Sequence, residues 1–246
     1  VNVDDAHGRR LAEAFPGSVT FAIDSPADYR ATGVETGFAG TDCTFETPDG
    51  SFPVHVPLPG RFNVLNALGA WAAVRAVGVE VRELPAEVRV PGRFEPVSEG
   101  QDFAVLVDYA HTPDSLENVL RAARELADGR VIAVFGAGGD RDRGKRPLMG
   151  EIGARLSDVC LVTSDNPRSE DPEAIIAEIL AGTGGGAHVE HDPDRRATIH
   201  RAVALARPGD VVVIAGKGHE QGQEFAGGRK EPFDDVAVAR EALRHG

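Results

Sequence analysis

The sequence has little of what several protein classes require. Its 26 Lys and Arg residues are outnumbered by 39 Asp and Glu residues, and the formal net charge is -13. A general nucleic-acid binder needs a basic face, which this balance argues against, although a local basic pocket can still take an anionic substrate. No apolar run approaches the roughly 18–20 residues that cross a bilayer, and no signal-peptide pattern opens the sequence. We therefore expect a cytoplasmic protein with no membrane insertion and no nucleic-acid partner.

Cysteine is also scarce. The two cysteines, Cys43 and Cys160, are far apart and lack the spacing of metal ligands. A secreted scaffold held together by disulfides needs a denser set of cysteines. Cys160 lies in an apolar run, where a small buried hydrophobic residue is expected. We predict neither a disulfide nor a metal site in this chain.

Residues 1–90 have a mixed pattern. Three stretches are β-rich, and the last two flank a Pro-Asp-Gly hairpin signal: Ser18–Ile23, Cys43–Thr47 and Phe52–Val56. A helical period of apolar residues then runs from Leu65 to Ala76, with Gly78 as a plausible stop. Between Leu84 and Val97 the chain has three prolines and a glycine without any period, which predicts a domain boundary near Val90.

From Phe103 onward, apolar β-type runs alternate with helical patterns. The predicted strands are Ala104–Val107, Val131–Phe135, Val159–Val162, His188–Val189 and Val211–Ala215. The predicted helices are Ser115–Ala127, Pro147–Leu156, Glu173–Leu180, Arg195–Ala206 and Asp235–Leu243. Thr112 is the predicted cap of the first helix, and Asp234 with Asp235 are the predicted caps of the last. This alternation predicts an α/β domain over residues 91–246, with a mainly parallel sheet covered on both faces.

Polar segments follow four of these strands, at the sheet edge where such folds bind ligands. They are Asp108–Pro113, Gly136–Arg146, Asp165–Arg168 and Gly216–Glu220. The glycine-rich segment could offer backbone N–H groups to an anion. It is not a Walker A loop, because Arg146 stands where that motif requires Ser or Thr, and it does not fit GxGxxG. One such loop is most simply a tight turn, but four polar segments together predict a site.

The charges in these segments suit an amino-acid ligand. Arg141 and Arg168 can each take a carboxylate through a bidentate fork, and Asp165 and Glu220 can take an ammonium. Taken one at a time, the residues leave structural interpretations open. Arg168 could pair with Asp171 on the surface, and His111 could serve only as a hydrogen-bonding group at a helix start.

Six segments together resemble the Mur ligase family, in particular its diaminopimelate-adding members. In chain order they are PGRFNVLNALGAWA, VPGRFE, VDYAHTPDSLENVL, FGAGGDRDRGKRPLMG, SDNPRSEDP and GKGHEQGQ followed by FDD. The resemblance covers essentially the whole chain. It implies that residues 1–90 are the later, truncated part of an α/β central ATPase domain and that residues 91–246 are a Rossmann-like, amino-acid-binding C-terminal domain.

The resemblance also implies a reaction and its participants. It implies an ATP-dependent amide ligase of peptidoglycan synthesis that adds meso-diaminopimelate to UDP-N-acetylmuramoyl-L-alanyl-D-glutamate through an acyl phosphate. The residues implied for meso-diaminopimelate are Arg141, Asp165, Asn166, Pro167, Arg168, Gly216 and Glu220. The residues implied for the nucleotide are Asn63, Asn66, Arg93, Asp108 and His111.

The family's P-loop and magnesium ligands would lie before Val1, and none of them occurs in the sequence. ATP and Mg²⁺ remain the implied cofactors, but we predict that this polypeptide alone does not turn over ATP and carries no catalytic residue or metal ligand. Two alternatives stay open. One is a non-catalytic amino-acid-binding module derived from such a ligase. The other is a Mur or folylpolyglutamate-type ligase for another amino acid, against which the Asp165–Arg168 corner argues. A monomer is the default expectation.

Overall fold

The computed structural model describes residues 1–86, 88 and 90–245. The chain divides into two compact units, Val1–Arg89 and Val90–Gly246. The division falls inside the proline-containing stretch Leu84–Val97. No helix in the described part of the chain is long and apolar enough to cross a membrane.

The first unit contains a four-stranded sheet and two helices. The strands, in spatial order, are β1 (Phe21–Ala22), β2 (Tyr29–Gly37), β3 (Gly40–Thr47) and β4 (Gly50–Val56). β1 pairs with β2 in parallel, and the other two pairs are antiparallel. The helices are α1 (Ala6–Ala14) and α2 (Arg61–Ala76).

The predicted hairpin and long helix are both present in this unit. β3 and β4 pair up to Thr47 and Gly50, so the turn lies where the Pro-Asp-Gly signal placed it. α2 ends just before Gly78, whose φ of 83° is the left-handed conformation that glycine adopts without strain. Its apolar side faces the sheet, where Trp71 meets Phe45 edge to face with ring centroids 5.5 Å apart.

Three features of the first unit differ from the prediction. The strand predicted over Ser18–Ile23 is only two residues long, because the amide and hydroxyl of Thr20 bind the Asp28 carboxylate instead of a neighbouring strand. β2 was missed because it is largely polar and has a register shift between Thr32 and Glu35. α1 was missed because it has few apolar residues, and one of them, Leu11, is exposed.

The second unit is built on a six-stranded sheet. The strands in spatial order are β5 (Glu95–Pro96), β6 (Ala104–Asp108), β10 (Val211–Ala215), β7 (Val131–Phe135), β8 (Val159–Thr163) and β9 (His188–Asp192). All neighbouring pairs except β5 and β6 are parallel. A separate antiparallel hairpin consists of β11 (Gly222–Glu224) and β12 (Lys230–Pro232).

Five helices cover both faces of this sheet. They are α3 (Pro113–Leu126), α4 (Lys145–Leu156), α5 (Pro172–Leu180), α6 (Arg195–Leu205) and α7 (Asp235–His245). On one face, Ile199 of α6 and Ala239 of α7 join a buried cluster with alternate residues of the strands. On the other face, Gly153 of α4 lies so close to Phe135 and Cys160 that a Cβ would not fit. The predicted mainly parallel, doubly covered sheet is therefore confirmed.

Of the three predicted capping residues, two cap their helices and one does not. Thr112 caps α3 as predicted, accepting a hydrogen bond from the Ser115 amide at 3.3 Å, with Pro113 as the first helical residue. Asp234 caps α7 by accepting from the Ala237 amide at 2.9 Å. The prediction that Asp235 shares this role was wrong, because its carboxylate is fully buried and paired with Arg195.

Candidate functional site

The carboxyl ends of four strands meet at one edge of the second sheet. β10 lies between β6 and β7, and β8 follows β7. Ala215 is in register with Asp108, and Phe135 is in register with Val162. The four polar segments that the sequence singled out therefore leave the sheet side by side, as the strand-end rule for α/β folds predicts.

The glycine-rich segment is fastened to the segment after β8. The Gly139 amide donates to the Asn166 carbonyl at 2.8 Å, and the Arg168 Nη1 donates back to the Gly139 carbonyl at 2.8 Å. The Asp140 amide donates to Glu170 Oε1 at 2.6 Å, and Asp140 accepts from the Ser169 hydroxyl at 2.6 Å. Because these two amides bind the neighbouring segment, the glycine-rich segment acts here as a loop support rather than as an open anion cradle.

Arg146, the residue that departs from the Walker pattern, also holds the glycine-rich segment and the segment after β8 together. Its side chain is fully buried, and its Nη1 contacts Glu170 at 2.9 Å and Glu178 at 2.8 Å. Its Nη2 donates to Glu170 at 2.8 Å and to the Gly138 carbonyl at 3.2 Å. Hydrogen bonds from Arg146, followed by the Asp140 amide, lower the pKa of Glu170 to about 2. Arg146 thus joins the glycine-rich loop to Glu170, just before α5, and to Glu178 in the last turn of α5.

A second buried arginine lies under the ends of β8 and β10. Arg195 forms a bidentate pair with Asp235, at 2.8 Å and 2.7 Å, and both side chains are fully buried. The same guanidinium donates to the Ala215 carbonyl at 3.0 Å and to the Ser164 carbonyl at 3.4 Å. These carbonyls directly precede Gly216 and Asp165, so the ion pair fixes where both segments leave the sheet.

Lys217 organises the polar centre of the site. Its buried ammonium donates to Asn166 Oδ1 at 3.0 Å and to Glu220 Oε2 at 3.1 Å, and it lies 3.5 Å from Asp165 Oδ1. Asn166 Oδ1 also accepts from the Glu224 amide at 3.0 Å. Since Oδ1 faces two donors, the amide nitrogen must face the other way, and it donates to Glu220 Oε2 at 2.9 Å. The orientation of the Asn166 amide is therefore set by its neighbours.

Glu220 is held as a carboxylate by these contacts. Burial alone would raise its pKa, but the hydrogen bond from Asn166 and the charge of Lys217 outweigh burial and lower the pKa below its ordinary value. Its other oxygen lies 3.5 Å from the Tyr109 hydroxyl. At neutral pH, Glu220 therefore presents a negative charge.

A cleft of about 540 Å³ opens beside this centre. Its lining residues come from the segment after β8, the segment after β10 and the β11–β12 hairpin: Asn166, Arg168, Glu220, Gln221, Gly222, Glu224, Lys230, Glu231 and Pro232. Arg168 has a φ of 52°, an unusual value for a residue with a side chain. Its Nε donates to Glu224 Oε2 at 3.1 Å. The surface pairing with Asp171 that the sequence left open does not form, because Asp171 caps α5.

Three of the seven residues implied for the amino acid, Asn166, Arg168 and Glu220, lie together on this cleft. Asp165, Pro167 and Gly216 belong to the same two segments, but they are buried and do not line the cleft. Arg141 is exposed, and its Nη1 donates to the Asp140 carbonyl at 2.9 Å. The sequence reasoning missed Lys217 and Glu224. Lys217 could have been found, because it lies in the GKGHE segment beside the predicted residue Gly216. Glu224 could not, because the hairpin that carries it has no apolar pattern.

Three residues implied for the nucleotide lie in the second unit, near its start and after β6. The Arg93 guanidinium is 4.8 Å from the centre of the Tyr109 ring. Asp108 accepts from the Phe94 amide at 2.7 Å and from the Ala110 amide at 2.8 Å. Burial raises the pKa of Asp108, and these two hydrogen bonds oppose the rise. His111 Nδ1 bonds to the Tyr109 carbonyl at 2.8 Å.

The other two implied nucleotide residues belong to the first unit. Asn63 is buried in α2, and its amide nitrogen donates to the Pro59 carbonyl at 2.8 Å. Asn66 is exposed one turn further along the same helix. Their nucleotide role stays a prediction. Across residues 1–86, 88 and 90–245, no three His, Cys, Asp or Glu side chains are grouped so that they could hold a metal ion.

Sequence comparison gives the same family over both units. The description "Mur ligase middle domain" applies to residues 1–74, and "Mur ligase, glutamate ligase domain" applies to residues 92–218. A protein of Synechococcus elongatus named UDP-N-acetylmuramoyl-L-alanyl-D-glutamate–2,6-diaminopimelate ligase is 49% identical over 99% of this chain and 50% of its own length. A protein of the same name from Streptomyces coelicolor is 48% identical over 99% of this chain and 51% of its own length. The chain thus spans about half the length of the curated relatives it matches.

Solved structures agree with this assignment. A structure of UDP-N-acetylmuramoyl-L-alanyl-D-glutamate–2,6-diaminopimelate ligase matches with a TM-score of 0.66 and 37% identity, over 100% of this chain and 53% of that one. The MurF ligase of Thermotoga maritima, solved with ADP, has a TM-score of 0.64 at 18% identity, over 98% of this chain and 51% of that one, which supports the fold alone. With both units matched and a cleft at the strand ends of the second, the chain belongs to the Mur ligase family.

Proposed function

We propose that this chain is part of an ATP-dependent ligase that joins meso-diaminopimelate to UDP-N-acetylmuramoyl-L-alanyl-D-glutamate in peptidoglycan synthesis. The observation that supports this most directly is the cleft in which the Arg168 guanidinium and the Glu220 carboxylate face a common space. The names of the relatives at 48–49% identity agree with the proposal.

The charges of the cleft fit the far end of diaminopimelate. That end carries a carboxylate and an ammonium on one carbon, whereas lysine has only an ammonium there. Arg168 uses its Nε for Glu224 and one Nη1 hydrogen for the Gly139 carbonyl, so N–H groups on Nη1 and Nη2 remain for a ligand carboxylate. Glu220 offers the matching negative charge for the ammonium. Lysine would leave the arginine desolvated without its carboxylate partner.

The proposed reaction has a simple balance. ATP transfers its terminal phosphoryl group to the D-glutamate side-chain carboxylate, which gives an acyl phosphate. The amine of diaminopimelate then attacks the carbonyl carbon, forms the amide, loses a proton and expels phosphate. In this scheme the residues of the cleft bind the distal end of the amino acid and thereby position its reacting amine, which is the kind of contribution that orientation makes to such a reaction.

ATP contacts from this chain are also part of the proposal. Arg93 is exposed and carries a guanidinium that can donate to a phosphate. Both oxygens of Asp108 accept a backbone hydrogen bond, and each keeps a second lone pair that could accept from a nucleotide hydroxyl or amino group. The described residues include no grouped set of His, Cys, Asp or Glu side chains that would hold magnesium.

The test is a ligation assay on the full-length protein that contains this chain. With ATP, magnesium and the UDP-linked dipeptide supplied, we expect meso-diaminopimelate to be strongly preferred over L-lysine. Arg168→Ala should lower kcat/KM for diaminopimelate by about 5- to 150-fold, as expected for one unpaired charged group of roughly 1–3 kcal/mol. Use of lysine should not fall and should rise, because the variant removes the guanidinium that lysine would leave desolvated and unpaired.

Arg121→Gln is the matched control, because it removes an exposed arginine of α3 whose side chain pairs with Glu117, away from the cleft. It should leave both activities unchanged. Equal use of lysine by the unaltered protein would instead favour a ligase for another amino acid. Binding of diaminopimelate without any ligation would favour the non-catalytic module.

A further inference from the structure

The β11–β12 hairpin is attached to the segment after β8 through two neighbouring residues of β11. The Gln223 side-chain amide donates to the Asp165 carbonyl at 2.8 Å, and the other contacts come from Glu224. Its amide donates to Asn166 Oδ1 at 3.0 Å, and its carbonyl accepts from the Arg168 amide at 3.0 Å. Its carboxylate accepts from Arg168 Nε at 3.1 Å. Glu224 therefore contacts both Asn166 and Arg168 and places a second carboxylate, besides that of Glu220, in the cleft wall.

The other charges of the hairpin are arranged differently. Lys230 is directly opposite Glu224 in the hairpin register, but the two side chains form no ion pair in the described structure. Glu231 also lines the cleft, and its carboxylate pairs with Arg229. Arg168 therefore forms an ion pair with Glu224, whereas Glu231 pairs with Arg229 and not with Arg168.

We propose that Glu224 is a specificity-determining residue that makes this cleft select an end group with both an ammonium and a carboxylate over an end group with a carboxylate alone. The inference rests on the proposed function and extends it to a residue outside the motifs that suggested that function. It concerns ligand selection and assigns no chemical step to Glu224.

The physical reason is the charge already present at Arg168. A lone carboxylate that binds this guanidinium shares it with Glu224, and the two negative charges repel each other. A neighbouring ammonium on the ligand compensates for that repulsion and is itself attracted by Glu224 and Glu220. Because Glu224 is about one-third exposed (34%), solvent weakens both effects, and we expect a discrimination of about threefold to fivefold.

The test compares two substrates that differ only at the distal carbon. Meso-diaminopimelate carries the ammonium and 2-aminopimelate lacks it, while both carry the distal carboxylate and the reacting amine. In the full-length protein, the ratio of kcat/KM for the two substrates should fall about threefold to fivefold in Glu224→Gln. A glutamine oxygen can still accept from Arg168 Nε, so this variant removes the charge and keeps the hydrogen bond.

Glu231→Gln is the matched control, because it makes the same change of charge on the same cleft without touching Arg168. Its substrate ratio should stay within about twofold of the unaltered protein. An unchanged ratio in Glu224→Gln, or an equal fall in both variants, would overturn the inference.

Failure of the proposed function would show separately, as absence of ligation of diaminopimelate by the unaltered protein. In that case the affinities of meso-diaminopimelate and 2-aminopimelate are measured by calorimetry. The proteins compared are the unaltered protein, Glu224→Gln and Glu231→Gln. The affinity ratio should again fall in Glu224→Gln alone. A circular-dichroism melt of each variant tests whether the change in the hairpin has unfolded the protein. Glu224→Asp is a second variant that keeps the negative charge, and it should keep the ratio between the two substrates.

Discussion

Two arginine–carboxylate pairs in the second unit have the same chemistry and different surroundings. Arg195 and Asp235 are both fully buried, and Arg195 also donates to the Ala215 and Ser164 carbonyls, so that four of its five N–H groups are bound. Arg168 and Glu224 lie on the cleft with 21% and 34% of their side chains exposed, and Nη2 of Arg168 has no hydrogen bond in the described structure.

The difference shows how one residue type serves two purposes within one site. An arginine that is fully buried and has most of its donors bound by the protein fixes the position of the chain, and it has no open side from which a ligand could reach it. An arginine with donors left over and an open side can bind a carboxylate. Burial and the number of unused donors, rather than residue type, separate the supporting arginines from the recognition arginine.

The largest effect is expected from breaking the buried pair. Asp235→Ala leaves the Arg195 guanidinium buried without a counter-charge, and loss of one partner of such a pair costs about 3–5 kcal/mol. We expect the free energy of unfolding of the second unit to fall by this amount, measured as the shift of its urea transition. Loss of activity should follow, because the ends of β8 and β10 carry site residues.

The double variant Arg195→Met with Asp235→Leu separates charge from packing. It removes both buried charges, so most of the lost stability should return. Recovery should be incomplete, because the Ser164 and Ala215 carbonyls lose their donor. A double variant as unstable as Asp235→Ala would contradict this account of the pair.

Arg146→Met should have the next largest effect. It removes a fully buried guanidinium, but its partners Glu170 and Glu178 keep 23% and 28% of their side chains exposed and can be rehydrated. We therefore expect a smaller loss, about 2–3 kcal/mol in the urea transition. A loss larger than that of Asp235→Ala would break the rule that burial of the remaining partner sets the cost.

The centre of the second unit's sheet could be predicted because its four inner strands, β6, β10, β7 and β8, are mainly apolar runs, whereas the edge strand β5 has no apolar run and was missed. Val131–Phe135 and Val211–Ala215 were predicted with the same ends that the structure shows, since a strand buried on both faces has no other composition available. The hairpin of β11 and β12 could not be predicted. Its residues are mostly polar, and its place depends on contacts from Glu224 to residues more than fifty positions earlier.

The candidate site shows the same limit at the level of side chains. Arg168 and Glu220 could be picked out because both follow strands that end at one edge of the sheet. The structural role of Arg146 could not, because its partners Glu170 and Glu178 lie on a segment that only the fold brings near. Asp235 was mistaken for a helix cap because the sequence signal of a cap is the same as that of a buried partner at a helix start.

The pKa of Glu170 depends mainly on its hydrogen bonds from Arg146, so a titration of Glu170 tests those contacts. In the folded protein the pKa is lowered to about 2 from an ordinary value of 4.5. The stabilisation linked to it is therefore complete above about pH 4.5 and is lost as the pH falls toward 2. Carboxyl-carbon NMR titration should show a midpoint near 2 in the unaltered protein and a rise toward the ordinary value in Arg146→Met. An unchanged midpoint in the variant would assign the shift to the Asp140 amide instead.

The smallest effect is expected from an exposed pair of the same kind. On α3, Arg121 contacts Glu117 one turn earlier, at 2.6 Å and 3.1 Å, and 57% of the Arg121 side chain is exposed. Because the Arg121 guanidinium is largely solvated both before and after folding, Arg121→Gln should cost only about 0.3–0.5 kcal/mol. Sodium chloride at high concentration should abolish this difference by screening, while the loss caused by Asp235→Ala should persist. A loss in Arg121→Gln that approached the buried-pair value, or that resisted salt, would show that short distance rather than burial decides what an ion pair contributes in this protein.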